Sequence, residues 1–237
     1  MQSYYRPPVV AADPNSDAVY LVWYSTVEPR NFALTGQNAD RTEIFLRASL
    51  DGGKSWGERR TVNDDAGKGF NHSLPGVSIA PNGRVDVAWS DSRNSPRPQV
   101  RPGRDEGLLD IYYASSDDKG RTFSANQKIN DRAIDRSLGV WSNNVNASVA
   151  TGMVSTDSEV YLTWQDSRAG GNVGESEDVY FATLRRDGSA VPVADDDGSV
   201  PGWLAIGAGV AVGLGIGMFL VWAITRRTRR PQAAAAP

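Results

Sequence analysis

Two near-copies of one short motif, 67 residues apart, constrain this chain more than any other feature. Ser49-Leu50-Asp51-Gly52-Gly53-Lys54-Ser55-Trp56 and Ser116-Asp117-Asp118-Lys119-Gly120-Arg121-Thr122-Phe123 both read S-x-D-x-G-x-[ST]-[WF]. A repeat of this period decides the architecture before local propensities do. Around it, Val19-Tyr20-Leu21-Val22-Trp23 is answered by Val85-Asp86-Val87-Ala88-Trp89 and by Val160-Tyr161-Leu162-Thr163-Trp164. Glu43-Ile44-Phe45-Leu46 is answered by Asp110-Ile111-Tyr112-Tyr113 and Asp178-Val179-Tyr180-Phe181, Pro14-Asn15 by Pro81-Asn82, and Val62-Asn63-Asp64 by Ile129-Asn130-Asp131. The third unit keeps Gly188 but has Leu184 and Arg186 where the motif has Ser and Asp.

Each unit reads as four short strands. Segments such as Val19–Trp23 alternate β-branched or aromatic residues with others, between clusters of Pro, Asn, Gly and Asp. No helical period is evident before residue 200. Four strands per unit of roughly 40–70 residues is the pattern of a propeller blade. The expected fold is therefore all-β, a partial β-propeller of about three four-stranded blades, with an open twelve-stranded sandwich as the alternative. The motif falls at the hairpin between the third and fourth strands. There Asp51 and Asp118, with Ser49, Ser55, Ser116 and Thr122, can bond the turn's own N–H groups. Gly53 and Gly120 can take positive φ, and Trp56 and Phe123 can cover the turn between blades.

This motif is similar to the Asp-box, and the units resemble the BNR-repeat proteins of the sialidase superfamily over roughly residues 5–190, most closely from Glu43 to Trp56. The resemblance implies a closed propeller of about twice this size, so that three blades would leave two faces open. Three readings follow: a fragment of a longer precursor, closure with blades from a second chain, or a partner protein over the open faces. For an exo-sialidase or related glycosidase, the resemblance implies arginines on a substrate carboxylate, a Tyr–Glu nucleophile and an Asp acid/base. Tyr5-Arg6-Pro7-Pro8 is similar to the family's entry to its first blade, which singles out Arg6. Asp40 stands where the family places its acid, and Asp105 is a second candidate. No counterpart of the nucleophilic Tyr and its Glu is found, and Tyr24, Tyr112, Tyr113 and Tyr180 read as blade packing.

Residues Trp203–Ile224 carry no charge. At ~1.5 Å per residue a helix of this length spans a hydrocarbon core. Asp195, Asp196 and Asp197 precede it, and Arg226, Arg227, Arg229 and Arg230 follow, so the basic side is expected in the cytoplasm and the blades in the periplasm or cell exterior. The expected organisation is a propeller segment at 1–195 (blades near 8–66, 73–132 and 145–195), an acidic linker at 196–202, a transmembrane helix at 203–225 and a basic tail at 226–237. An outward domain requires an export signal; Met1–Val10 is short and polar and does not read as one, so either a signal lies upstream or has been removed, or the protein is tail-anchored with cytoplasmic blades and its four arginines outside. Gly209, Gly213 and Gly217 fall on one face of the helix and would let a second transmembrane helix approach closely.

Setting aside the four tail arginines leaves 21 basic against 28 acidic residues, a balance of −7 that disfavours nucleic acid as a partner. There is no cysteine, hence no disulfide framework. The single histidine, His72, is expected in a solvated loop and excludes a His-based metal cluster; no metal or cofactor is expected. The loops between second and third strands are long (Ser25–Thr42, Ser92–Leu109, near Ser167–Ser176) and lie opposite the motif turns, where binding sites concentrate. Two begin alike, with Trp89-x-Asp91-x-Arg93 and Trp164-x-Asp166-x-Arg168. Asp91 with Arg93, and Asp166 with Arg168, form either structural ion pairs or a site for an anion or sugar.

Together these features predict a membrane-anchored, outward-facing sialidase-like propeller acting as a binding or scaffolding module. Its expected partners are the lipid bilayer, another transmembrane helix or membrane-complex subunit, further propeller blades, and a glycan. The alternatives are a glycosidase completed by blades outside this chain, and a remnant without a site.

Overall fold

The computed structural model describes residues 8–26, 42–96, 108–135, 138, 151–168, 178–185 and 190–191, all within the unit Met1–Val193. Among them there is no helix, and none therefore long and apolar enough to cross a membrane. The strands form three antiparallel meanders. The first is β1 (Val9–Ala12), β2 (Val19–Thr26), β3 (Thr42–Ser49) and β4 (Arg60–Thr61), in that spatial order. The second is β5 (His72–Ile79), β6 (Val85–Asp91), β7 (Leu108–Ser116) and β8 (Gln127–Lys128), with β9 (Ile134–Asp135) also paired on β7. The third is β10 (Thr151–Ser155), β11 (Glu159–Asp166), β12 (Asp178–Arg185) and β13 (Ala190–Val191).

The extra strand β9 departs from four per unit for a local reason. After β8 the edge strand breaks, and Asn130 fills the gap by accepting the Ile111 N–H at 2.8 Å through Oδ1. The chain then rejoins β7 at Leu108 and Leu109. Asn63 does the same on the first sheet, accepting the Ile44 N–H at 2.9 Å. A buried amide thus replaces one ladder bond, so no backbone donor is left unpaired there.

All three units share one register. Trp23 stands opposite Phe45, Trp89 opposite Tyr112 and Trp164 opposite Tyr180, each pair in ring contact at 5.8, 6.4 and 6.2 Å. The period-two pleat then sorts the faces. Tyr20, Val22, Ile44 and Leu46 of the first sheet meet Val85, Val87 and Trp89 of the second in one buried cluster. Ala88, Leu109 and Ile111 of the second meet Leu162, Trp164 and Ala182 of the third in another. The second sheet is covered on both faces, and all seven residues of β6 are buried. On β11 burial alternates instead.

At the motif turns, the Ser49 hydroxyl donates to Asp51 Oδ1 (2.7 Å) and accepts from Gly53 N (2.8 Å), while Asp51 accepts from Ser55 N (2.9 Å) and Ser55 Oγ (2.5 Å). Ser116, Asp118, Gly120 and Thr122 repeat every bond. Gly53 and Gly120 have φ of 86° and 79°, where a Cβ is strained. The bonds from Ser55, then that from Ser49, hold the Asp51 carboxyl down at about 2. Phe123 packs against the cluster between the first two sheets, whereas Trp56 is 37% exposed.

Candidate functional site

The richest polar constellation lies where the first and second sheets meet, at the strand ends opposite the motif turns. Trp89 donates its indole N–H to Asp91 Oδ2 at 2.9 Å, and Asp91 accepts from Arg93 Nε at 3.0 Å. The guanidinium lies 4.1 Å from the Tyr112 ring centre. It then crosses to the preceding sheet's edge, reaching Asp64 at 2.7 Å, Asp65 at 3.1 Å and Asn126 of its own sheet at 3.0 Å. The third sheet copies the device. Trp164 and Arg168 both bond Asp166, Arg168 lies 4.3 Å from the Tyr180 ring centre, and it reaches back to Asp131 at 2.8 Å. Burial lowers the basicity of both guanidiniums, but the carboxylate bonds outweigh it and hold both above the ordinary arginine range.

Asp91, Arg93, Asp166 and Arg168 therefore pair within each repeat as their spacing suggests, and each arginine also ties its sheet to the one before. What the sequence reading missed is the acceptor side. Asp64 and Asp131 are equivalent members of the Asn-Asp repeat, and that repetition was the available signal.

His72 requires a correction. It lies not in a solvated loop but on β5, 1% exposed. Thr42 explains this position: its hydroxyl donates to the His72 carbonyl at 2.6 Å and accepts the His72 N–H at 2.8 Å, stitching β5 to β3. The ring sits between acceptors, with Nδ1 on the Thr42 carbonyl and Nε2 at 3.0 Å from Asp65 and 3.4 Å from Asp91. Burial pulls the imidazole pKa down, but the Asp65 bond and the charges of Asp91 and Asp65 outweigh it and raise it above its ordinary value. Burial likewise opposes ionisation of Asp65, yet the His72 bond and charge bring its carboxyl down to about 2. The carbonyl on one side and the carboxylates on the other both favour the protonated ring over a free base.

Glu43, Asp65 and His72 each bring one ligand-type atom within 4.8 Å of the others. These atoms are already engaged. Glu43 accepts from Asn63 Nδ2 and from Gly67 N (2.9 Å), and Asp65 Oδ1 accepts from Asn63 (2.8 Å) and His72. Asp65 Oδ2 makes no aligned hydrogen bond and faces the Arg93 guanidinium. A metal ion here would have to break the His72–Asp65 contact and sit beside the Arg93 guanidinium, so the donor set fits an internal charge network better than a cation.

A second clamp joins the second and third sheets near the motif-turn end. Arg84 bonds Asp86 at 2.8 Å and donates to the carbonyls of Thr156 (2.9 Å) and Asp157 (3.0 Å), and Tyr113 donates to Asp86 at 2.6 Å. Burial, then the charge of Asp86, raises the Tyr113 pKa. Arg6, Asp40, Asp105, Gly209, Gly213 and Gly217 lie outside the described residues.

No protein-family model and no curated protein sequence matches this chain. Solved structures do. A Penicillium chrysogenum α-L-arabinanase, solved with arabinobiose, aligns with a TM-score of 0.52 at 18% identity over 80% of this chain and 48% of its own. The Hadza microbial sialidase Hz136 aligns at 0.49 and 14% over 80% and 37%. A Trypanosoma rangeli sialidase, in complex with the inhibitor DANA, aligns at 0.41 and 14% over 82% and 29%. The chain shares the β-propeller fold of the arabinanase, and it spans less than half the length of these structures.

Proposed function

We propose that this chain is a binding or scaffolding module: a sialidase-like, Asp-box propeller segment, held outward from a membrane by its C-terminal apolar segment. The observation that carries this reading is the engagement of Arg93 and Arg168. Both point into the junctions between sheets, where Asp64, Asp65 and Asp91, or Asp131 and Asp166, neutralise them. A clamp for a substrate carboxylate needs guanidiniums whose donors face solvent. These two serve assembly, and recognition is left to the long loops on the same end of the sheets. The uncharged stretch Trp203–Ile224 and its acidic and basic flanks support the anchor. In this reading 1–195 is the outer segment, 196–202 the linker, 203–225 the span and 226–237 the cytoplasmic tail. The partners are a membrane-complex subunit, with Gly209, Gly213 and Gly217 as its helix contact, and a glycan on the loops.

The absence of cysteine makes the test clean. Single cysteines at Ser199 and Thr228 in intact cells are expected to react with an impermeant maleimide at the first position only. Labelling of Thr228→Cys instead would reverse the topology. A stoichiometric membrane partner is expected to co-purify in mild detergent, and to be lost in Gly213→Leu.

The glycosidase reading is kept by one observation, the fold shared with the arabinanase. Its residues would be Arg6 and Asp40, with Asp105 in reserve. Turnover of a fluorogenic sialoside or arabinoside that disappears in Asp40→Ala would replace the scaffold reading.

A further inference from the structure

The junctions between sheets are repeated, so the outer faces of the first and third sheets can be compared with faces already buried. On the side turned to the next sheet, Ile44 and Leu46 are 0% and 1% exposed beneath the second sheet. The register that aligns Phe45 with Tyr180 makes Val179 and Phe181 their equivalents on the third sheet. These are 73% and 49% exposed, and Val154 beside them is 62% exposed. Tyr161 stacks on Phe181 with ring centres 6.0 Å apart, so the patch is a continuous apolar surface.

The opposite half of the same junction lies on the first sheet. Phe123 packs over the first two sheets' shared cluster, and a Cβ on Gly120 would come within 2.7 Å of Leu46. Their equivalents are Trp56, 37% exposed, and Gly53, whose Cβ would meet nothing within 4 Å among the described residues. One chain thus carries both complementary halves of a further junction: the third sheet's is uncovered by the described residues, and the first sheet's is open at Trp56 and Gly53, with Phe45 beside them already under Arg59.

We propose that a second copy of this chain occupies them: the third sheet of each copy docks on the first sheet of the other, giving two equal contacts about a two-fold axis. Three features of the molecule select this occupant. Each face continues an interface already built twice within the chain. The complement of each face is present on the same molecule. The arabinanase chain sharing the fold is about twice as long as the segment of this chain aligned with it, which covers 48% of it, so two such segments supply one such length. The new junction would lack the ionic half of the internal ones. Where Asp91 and Arg93 stand, the first repeat has Ser25 and Val27. The contact is therefore apolar, reversible with dilution and not weakened by salt. It requires neither a membrane anchor nor a glycan, and it fails separately from those readings.

The test is sedimentation of the full chain in neutral detergent across a concentration series. The wild type is expected to sediment as two copies. Phe181→Glu and Trp56→Glu are each expected to weaken self-association at least about tenfold, since either change desolvates a charge in both contacts. Both sites are exposed in the single chain, so folding is retained, as circular dichroism will show; Val179→Glu gives the same readout should Phe181→Glu express poorly. An equimolar mixture of Phe181→Glu and Trp56→Glu is expected to recover a two-copy species, because one of its two contacts then has both faces intact. A wild type that stays single at every concentration overturns the proposal. So does association indifferent to Phe181→Glu, which would run through another segment. Loss with Phe181→Glu but not Trp56→Glu would mean two third sheets facing each other, and a mixture that fails to recover would exclude the reciprocal contact.

Discussion

The guanidinium of Arg93 lies 2.7 Å from the carboxylate of Asp64, so an ion pair that begins on the second sheet ends on the first. The same side chain covers Asp91, fully buried, and Asp65, 4% exposed. Removing it leaves two buried carboxylates with only His72 beside them to offset their charge. Arg93→Met keeps the stem over Tyr112 but not the charge, and is expected to cost about 3 kcal/mol in urea unfolding. Arg168→Met strands only Asp166, since Asp131 is 55% exposed, and should cost less. Equal losses would mean that the junction network is not what the arginines support.

His72 gives the fold a pH dependence with a definite sign. Its folded pKa is raised, so its contribution is complete below the unfolded value of about 6.5 and is lost as pH rises through the folded value. The groups facing the ring are Asp65 from the β4–β5 connection, Asp91 from β6 and the Thr42 carbonyl from β3, with Arg93 beyond Asp65. On the acid side, Asp65 contributes above its unfolded value and loses that contribution as pH falls towards about 2. The urea midpoint should therefore decline above neutrality in the wild type and lose that decline in His72→Gln. As the chain has one histidine, a single imidazole resonance reads the titration directly. A midpoint titration below pH 6.5 would contradict the network.

Much of this fold could be read from the repeat, because a turn motif and a Trp-bearing strand recur at matching offsets and fix which residues pair. The Asp51 and Asp118 turns, the Trp23, Trp89 and Trp164 strands, and the Asp91–Arg93 and Asp166–Arg168 pairs all follow from spacing along one or two strands. His72 could not be read in this way. Its burial depends on Thr42, thirty positions earlier, and on carboxylates from two separate segments, those of Asp65 and Asp91. Local composition around Asn71-His72-Ser73 looks like a loop, and only the meeting of two sheets makes it a core. The arginines' reach to Asp64 and Asp131 was hidden for the same reason: a pattern within one repeat does not show what the next repeat brings to it.

Tyr20 offers a test of core satisfaction. It is fully buried between the first two sheets, and its hydroxyl has no hydrogen-bond partner among the described residues. Burial, then the charge of Asp13, raises its pKa, as expected of a phenol held away from water. Tyr20→Phe removes the orphan oxygen and leaves the ring in place. It should be neutral or stabilising, by up to about 1 kcal/mol, in thermal unfolding. A loss above that would reveal a partner for the hydroxyl.

The two motif glycines separate backbone strain from packing. Gly53 and Gly120 share nearly the same positive φ, 86° and 79°, so alanine carries a similar conformational cost at either, about 1 kcal/mol. Their surroundings differ. Among the described residues a Cβ at Gly53 meets nothing within 4 Å, whereas one at Gly120 would lie 2.7 Å from Leu46 Cδ2, a side chain 1% exposed with little room to move. Overpacking of that kind adds about 1–3 kcal/mol. Under conditions where the chain is a single copy, Gly120→Ala should therefore be the more destabilising, and Gly120→Ala with Leu46→Val should recover part of the difference. Equal effects would place the whole cost in the turn and remove Gly120 from the junction between sheets.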